Sequence, residues 1–188
     1  MGIALADCAA EMGASVNLVL GPVDIKPQSE EINVTNVTSA DSMAEACLSF
    51  FSDCDIAILA AAVADFTPVA VTNNKIKKQK DNILLELKPT IDIAATLGKM
   101  KKQNQIIVGF ALETNDELEN ARKKLLSKNM DFIVLNSLND KGAGFGGDTN
   151  KITIIDRNNI VDKFELKLKD EVARDILNKV ITLNSCWT

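Results

Sequence analysis

Histidine and tyrosine are both absent from these 188 residues. Without histidine the chain can hold neither a Ser-His-Asp nor a Cys-His catalytic group, nor any His-ligated metal. What remains for chemistry is Asp and Glu, Lys and Arg, Asn, thiol and backbone amide. Paired cysteine motifs are missing as well. Cys8, Cys47, Cys54 and Cys186 form no C-x-x-C pair, so their spacing supports neither a zinc site nor a disulfide framework. Cys8 and Cys47 sit in helix-like apolar settings, and reduced thiols acting as small hydrophobes are expected. No segment has the apolar length of a membrane span. The start lacks the charged and long apolar regions of a signal peptide. Surplus positive charge is lacking too: the net charge is −5, which argues against nucleic acid or an anionic membrane as main partner. A cytoplasmic protein is expected.

What is present is ordinary globular composition, 46% hydrophobic and 25% charged, in a length that builds one domain with a sizeable core. No internal repeat, low-complexity tract or linker divides it, so residues 1–188 are assigned to a single domain. MGIALADCAAEMGA reads as a helix with Gly13 suited to its end. VNLVLGP and INVTNV read as strands. Ser39 or Asp41 can cap a helix through SMAEACLSFF. DIAILAAA is a buried strand, NILLELK is strand-like, and TIDIAATLGKMKK is a helix. QIIVGFALE, DELENARKKLLSKN and MDFIVLN follow as strand, helix and strand. KITIIDRNNIVDKFEL predicts a hairpin around Asn158-Asn159, and DEVARDILNKVITL a closing helix.

Strands alternating with helices predict an α/β fold: a Rossmann-like, doubly wound, mainly parallel sheet with helices on both faces. The late hairpin is expected as an antiparallel addition at one edge. Such sheets bind ligands outside the carboxyl ends of their strands, which singles out Asp65, Phe110 to Asn115, and Asn136. The chain opens inside a helix, where a doubly wound domain usually has a strand and a Gly-rich turn. Met1-Gly2 resembles the tail of such a turn.

Several motifs bear on chemistry. GAGFGG, Gly142 to Gly147, formally matches G-x-G-x-x-G, but a dinucleotide fingerprint must open a helix. The next segment, KITIID, is strand-like, so a loop ahead of the hairpin is expected instead. Lys75, Lys77, Lys78 and Lys80 crowd into six positions of an acidic chain. They form either a solvated charged face or a phosphate site that stabilises departing pyrophosphate. Asp65, at the end of an apolar strand, either caps a turn or holds a ribose hydroxyl, a base amino group or a magnesium-bound water. Arg122, Lys123, Lys124 and Lys128 form a second basic group on one helix, in which Lys124 and Lys128, four apart, share a face. The group pairs with Glu117 or Glu119, or it contacts phosphates.

AAAVADF, KIKKQ, TIDIA, VGFALET and ARKKLLSKNMDFIVLN, in this order and spacing, resemble phosphopantothenoylcysteine synthetase of the CTP-using bacterial type, over almost the whole chain. The resemblance implies CTP-dependent ligation of L-cysteine to 4′-phosphopantothenate through an acyl-cytidylate, with Mg²⁺ accompanying the nucleotide. It implies that Ala61 and Asp65 contact the nucleotide and that Lys75 is the catalytic lysine. Thr90, Ile91, Asp92 and Ile93 correspond to the family's T-P-D-I turn, with Ile91 in place of proline, and Asp92 is also placed to cap the next helix. Phe110 resembles the aromatic residue that packs on the nucleotide, and Lys124 and Lys128 the phosphate-binding lysines. No dedicated protein metal site is implied. A homodimer sharing the lysine-bearing strap is implied, as is a flavin-dependent decarboxylase half preceding the domain in bifunctional relatives. The family's Gly-rich turn, asparagine and S-S-G-K-M-G run have no counterpart here beyond Met1-Gly2. The chain is therefore expected to keep most CTP contacts and to be weakened or inactive in ligation. The alternatives are a non-catalytic nucleotide-binding fragment of that enzyme and, on fold class alone, an NAD(P)-binding oxidoreductase.

Overall fold

The computed structural model describes residues 1–71, 74, 75, 77, 83–113, 116–137 and 147–185. The GAGFGG loop up to residue 146, Lys78, Lys80, Thr114, Asn115 and Cys186 lie outside the described residues.

Helix α1 (Gly2–Glu11) ends where Gly13 takes a φ of +85°, and the Gly13 N–H donates to the Ala10 carbonyl at 2.9 Å. Only glycine adopts that left-handed turn without a steric penalty. Strands β1 (Asn17–Leu20) and β2 (Asn33–Asn36) pair in parallel. Helix α2 (Ala40–Phe51) starts on a reciprocal cap: Ser42 N–H donates to Ser39 Oγ, and Ser39 N–H to Ser42 Oγ, both at 3.1 Å. Of the two expected caps, Ser39 is the one used. Strand β3 (Ile56–Leu59) follows, then a short antiparallel pair, β4 (Phe66–Pro68) and β5 (Leu87–Pro89). Next come α3 (Ile93–Met100), β6 (Ile106–Glu113), α4 (Glu117–Ser127) and β7 (Phe132–Ser137). The chain continues with β8 (Thr149–Asn150), β9 (Ile152–Asp156), β10 (Val161–Lys163), β11 (Lys167–Leu168) and α5 (Lys169–Ser185).

The main sheet has the order β10-β9-β7-β6-β3. β3, β6 and β7 run parallel, while β9 and β10 add an antiparallel hairpin at one edge. This is the expected mainly parallel α/β architecture. Alternation along each strand sends side chains to opposite faces. Ile106, Val108, Phe132, Val134, Ile152 and Ile154 pack against α1 and α5, whose Leu5, Val172, Ile176 and Val180 are buried there. Ile107, Ala111, Ile133, Leu135 and Ile155 meet Ala44 and Phe51 of α2, Leu97 of α3 and Leu125 of α4 on the other face. Each fully buried aliphatic side chain of this kind contributes about 1.5–3 kcal/mol.

Two sequence expectations need correction. DIAILAAA stays in the sheet only to Leu59, and Ala60–Ala64 leaves it as an irregular segment. NILLELK forms strand only from Leu87, and its partner β4 was not expected. Leu84 is 96% exposed. Among the described residues its neighbourhood has strand-forming residues but no covered face, and β-propensity expresses itself only against neighbours.

Candidate functional site

Three segments meet beyond the carboxyl end of β3. The first is the Ala60–Asp65 loop. The second, Thr90–Asp92, is fastened to it: Thr90 N–H donates to the Asp65 carbonyl at 2.9 Å, and Thr90 Oγ1 to the Ala64 carbonyl at 2.7 Å. The third is the end of α4. Lys128 Nζ reaches the Asp92 carboxylate at 3.0 and 3.2 Å, while Asp92 Oδ1 accepts the Ala95 N–H at 3.0 Å and caps α3. Partial burial opposes the Asp92 charge. The Ala95 N–H, Lys128 and Lys99 outweigh it and hold the carboxyl below the ordinary aspartate range.

Lys128 is placed there by a close contact between α3 and the turn after α4. A Cβ at Gly98 would stand 2.0 Å from the Lys128 carbonyl oxygen and 2.8 Å from its carbonyl carbon. Asn129, in the left-handed region at φ 54°, donates from Nδ2 to the Gly98 carbonyl at 2.7 Å. Arg157 braces the same turn through Met130 O at 2.6 Å and through Asn129 Oδ1. Gly98 was not singled out from sequence, although a glycine inside a helical pattern often marks such a packing reason. Gly98→Ala should cost about 1–3 kcal/mol by overpacking and separate Lys128 from Asp92. An unchanged denaturation midpoint would show that the helices part without strain.

Ala61, Asp65, Thr90, Ile91, Asp92, Ile93, Phe110, Lys124 and Lys128 all line one open cleft, which also runs the length of β1 and β3. Phe110 stands on the α1/α5 side of β6, packed against that core, so it enters the cleft from the opposite face to α3. Lys75 is not among the residues lining the cleft. It is exposed between β4 and β5, as is Lys77. Asn136 accepts a 3.3 Å bond from Asn150 Nδ2 and does not line the cleft. The bland pairing expected for the α4 lysines holds for Lys123, which bridges Glu119 at 2.7 Å; Lys128 instead takes Asp92.

Cys8, Cys47 and Cys54 are free thiols. Burial raises all three above the ordinary thiol value, helped at Cys54 by Asp55, so they are poor nucleophiles. Among the described residues no group of three or more Cys, Asp or Glu could hold a metal ion, and none of their helices is long and apolar enough to cross a membrane.

The fold and cleft define an α/β domain with a candidate ligand site at the carboxyl edge of a mainly parallel sheet. The chain belongs to the DNA/pantothenate metabolism flavoprotein C-terminal domain family, which it matches over residues 1–183. It is 63% identical over 97% of its length to a protein of an unknown prokaryotic organism named cysteine/cysteine sulfinic acid decarboxylase. It is 45% identical over 98% of its length to the coenzyme A biosynthesis bifunctional protein CoaBC of Bacillus subtilis. The chain spans about half of each, 51% and 45% of their lengths. A crystal structure of the C-terminal domain of a CoaBC protein superposes with a TM-score of 0.81 at 36% identity, covering 97% of this chain and 81% of that one.

Proposed function

We propose that this domain carries out CTP-dependent ligation of L-cysteine to 4′-phosphopantothenate in coenzyme A biosynthesis. The supporting observation is that the Asp65 loop, the Thr90–Ile93 turn and Lys124 with Lys128 converge on one cleft, in a chain 45% identical to a CoaBC protein. In the first step a phosphopantothenate carboxylate oxygen attacks the α-phosphorus of CTP. The bond to the β-phosphate bridging oxygen breaks and pyrophosphate leaves with its electron pair. In the second step the cysteine amine attacks the acyl carbon. CMP leaves, an amide forms and the amine proton passes to solvent.

Lys128, held by Asp92 in the free protein, exchanges that carboxylate for triphosphate oxygens, and Lys124 supplies a second cation. Ala61 and Asp65 meet the nucleoside, and Phe110 offers an aromatic face. Lys75 stabilises charge as it builds on the α-phosphate. Four aspartates line the cleft; Asp53 and Asp55 lie before the amino end of β3, away from the other two, and Asp92 is already engaged by Ala95 and Lys128. That donor set fits Mg²⁺ carried chiefly on nucleotide phosphates, with Asp65 as the protein carboxylate within reach. Bound there, the ion would neutralise triphosphate charge.

A homodimer fits this reading. Phe66, Val71, Ile83, Leu84 and Leu87 around β4 and β5 are 50–96% exposed, an apolar surface of the kind that marks an interface. Sedimentation velocity should show a dimer that dissociates on dilution; a monomer at all concentrations would remove it. A flavin-dependent decarboxylase half, preceding this domain in the cytoplasmic parent protein, accounts for the name of the 63% identical relative without placing decarboxylation on these residues.

The test is pyrophosphate release from CTP with 4′-phosphopantothenate and Mg²⁺, with and without L-cysteine, and with ATP as control. CTP-specific release supports the ligase. CTP binding without release supports a nucleotide-binding module instead, a reading favoured by one observation: Lys75 lies away from the cleft.

A further inference from the structure

Helix α4 closes with two backbone hydrogen bonds. The Met130 N–H donates to the Leu125 carbonyl at 3.0 Å, and the Asn129 N–H to the Leu126 carbonyl at 3.3 Å. Asn129 takes the left-handed position of this motif, at φ 54°, a place that glycine fills at lower cost. The motif itself uses only backbone atoms and leaves the Asn129 amide to other work. Both ends of that amide are engaged. Nδ2 donates to the Gly98 carbonyl of α3 at 2.7 Å, and Oδ1 accepts from Arg157 Nη2. The orientation follows from the partners, since a guanidinium only donates and a carbonyl only accepts.

Arg157 is itself firmly placed. Its backbone N–H donates to the Asp131 carbonyl at 3.2 Å. The hairpin turn that carries it is tied down by Asp156, whose Oδ1 accepts the Asn158 and Ile160 N–H groups at 2.9 and 3.1 Å. Asp156 Oδ2 pairs with Lys179 of α5 at 3.2 Å. A run of polar contacts thus leads from α5 through the edge hairpin to Asn129 and across to α3. Lys128, the residue before Asn129, sets its carbonyl against Gly98, while its ammonium reaches Asp92 at the opposite end of α3. The Asn129–Gly98 bond therefore fixes the root of the Lys128 side chain against the helix whose cap its tip must reach. Gly98, Asn129 and Arg157 do not line the cleft, whereas Lys128 does, so their route to a ligand runs through Lys128.

We propose that Asn129 is a positioning residue: its amide, oriented by Arg157, sets the end of α4 against α3 so that the Lys128 ammonium stands beside Asp92 in the cleft, where phosphate oxygens would bind. The phosphate part rests on the ligase reading; the placement of Lys128 does not. Capping α4 needs only the left-handed backbone, so the two roles of Asn129 can be separated.

Asn129→Gly separates them, because glycine keeps the left-handed turn and removes the amide. Tm should stay within about 5 °C of the parent chain. The Asp92 carboxyl, followed by carbon NMR across a pH titration, should move up toward the ordinary aspartate range as Lys128 leaves it. CTP binding, measured by equilibrium dialysis with Mg²⁺, should weaken by about three- to ten-fold, the range of one lost hydrogen bond. In a Lys128→Met background Asn129→Gly should add nothing to either effect. Arg157→Met, which leaves the Gly98 bond in place, should move Asp92 in the same direction by less. An Asp92 titration unmoved by Asn129→Gly overturns the proposal and leaves Asn129 a helix cap. Equal effects with and without Lys128 overturn it as well. If the parent chain binds no CTP while Asp92 responds as expected, the nucleotide reading fails and the placement of Lys128 by Asn129 stands.

Discussion

Lys75→Gln should leave the chain folded and CTP-bound while cutting pyrophosphate release by about 10²–10³-fold, the usual effect of losing one donor to developing charge. The fold should be spared because Lys75 is exposed between β4 and β5 and takes no part in either core cluster. Surface changes of that kind stay within about ±0.5 kcal/mol. Loss of release can then be assigned to chemistry. On the proposed reading KM for CTP should move little while kcat falls, since Lys124 and Lys128 would keep the phosphate contacts. Near-normal release would remove Lys75 from the mechanism and return the lysine run to a solvated face.

The parts of this molecule legible in sequence are those set by local pattern. The run from Ile106 to Glu113 is apolar on both faces and forms a central parallel strand. Asn158-Asn159 turns the edge hairpin, with Asn159 at φ 60°. Asp92 was readable both as a helix cap and as a site residue, and the structure makes it the cap of α3 and the partner of Lys128. What was not legible depends on contacts distant in sequence. Nothing in the local pattern of Phe66–Pro68 announces a strand, because it forms only against Leu87–Pro89. Gly98 matters through Lys128, thirty positions later.

Lys101→Met should be the most destabilising single change at the junction of β6 and β7, by about 3–5 kcal/mol. Lys101 Nζ lies 2.6 Å from both oxygens of Asp131, with the side chains only 9% and 10% exposed. Asp131 Oδ2 also accepts the Ile107 N–H at 2.7 Å, and the Asp131 N–H returns a 2.8 Å bond to the Ile107 carbonyl. The carboxylate therefore ties the start of β6 to the start of β7. Methionine keeps the length and apolar stem of lysine, so the loss comes from leaving a buried carboxylate without its countercharge. At about 2–4 °C per kcal/mol for a chain of this size, Tm should fall by roughly 10 °C. Adding Asp131→Asn should recover much of that loss, because the amide carries no charge to compensate while its oxygen still accepts from Ile107. A loss under about 1 kcal/mol for Lys101→Met, the range of exposed pairs, would mean that water reaches the carboxylate. Neither residue lines the cleft, so CTP affinity measured well below Tm should be unchanged in both variants, separating this stabilising pair from the ligand site.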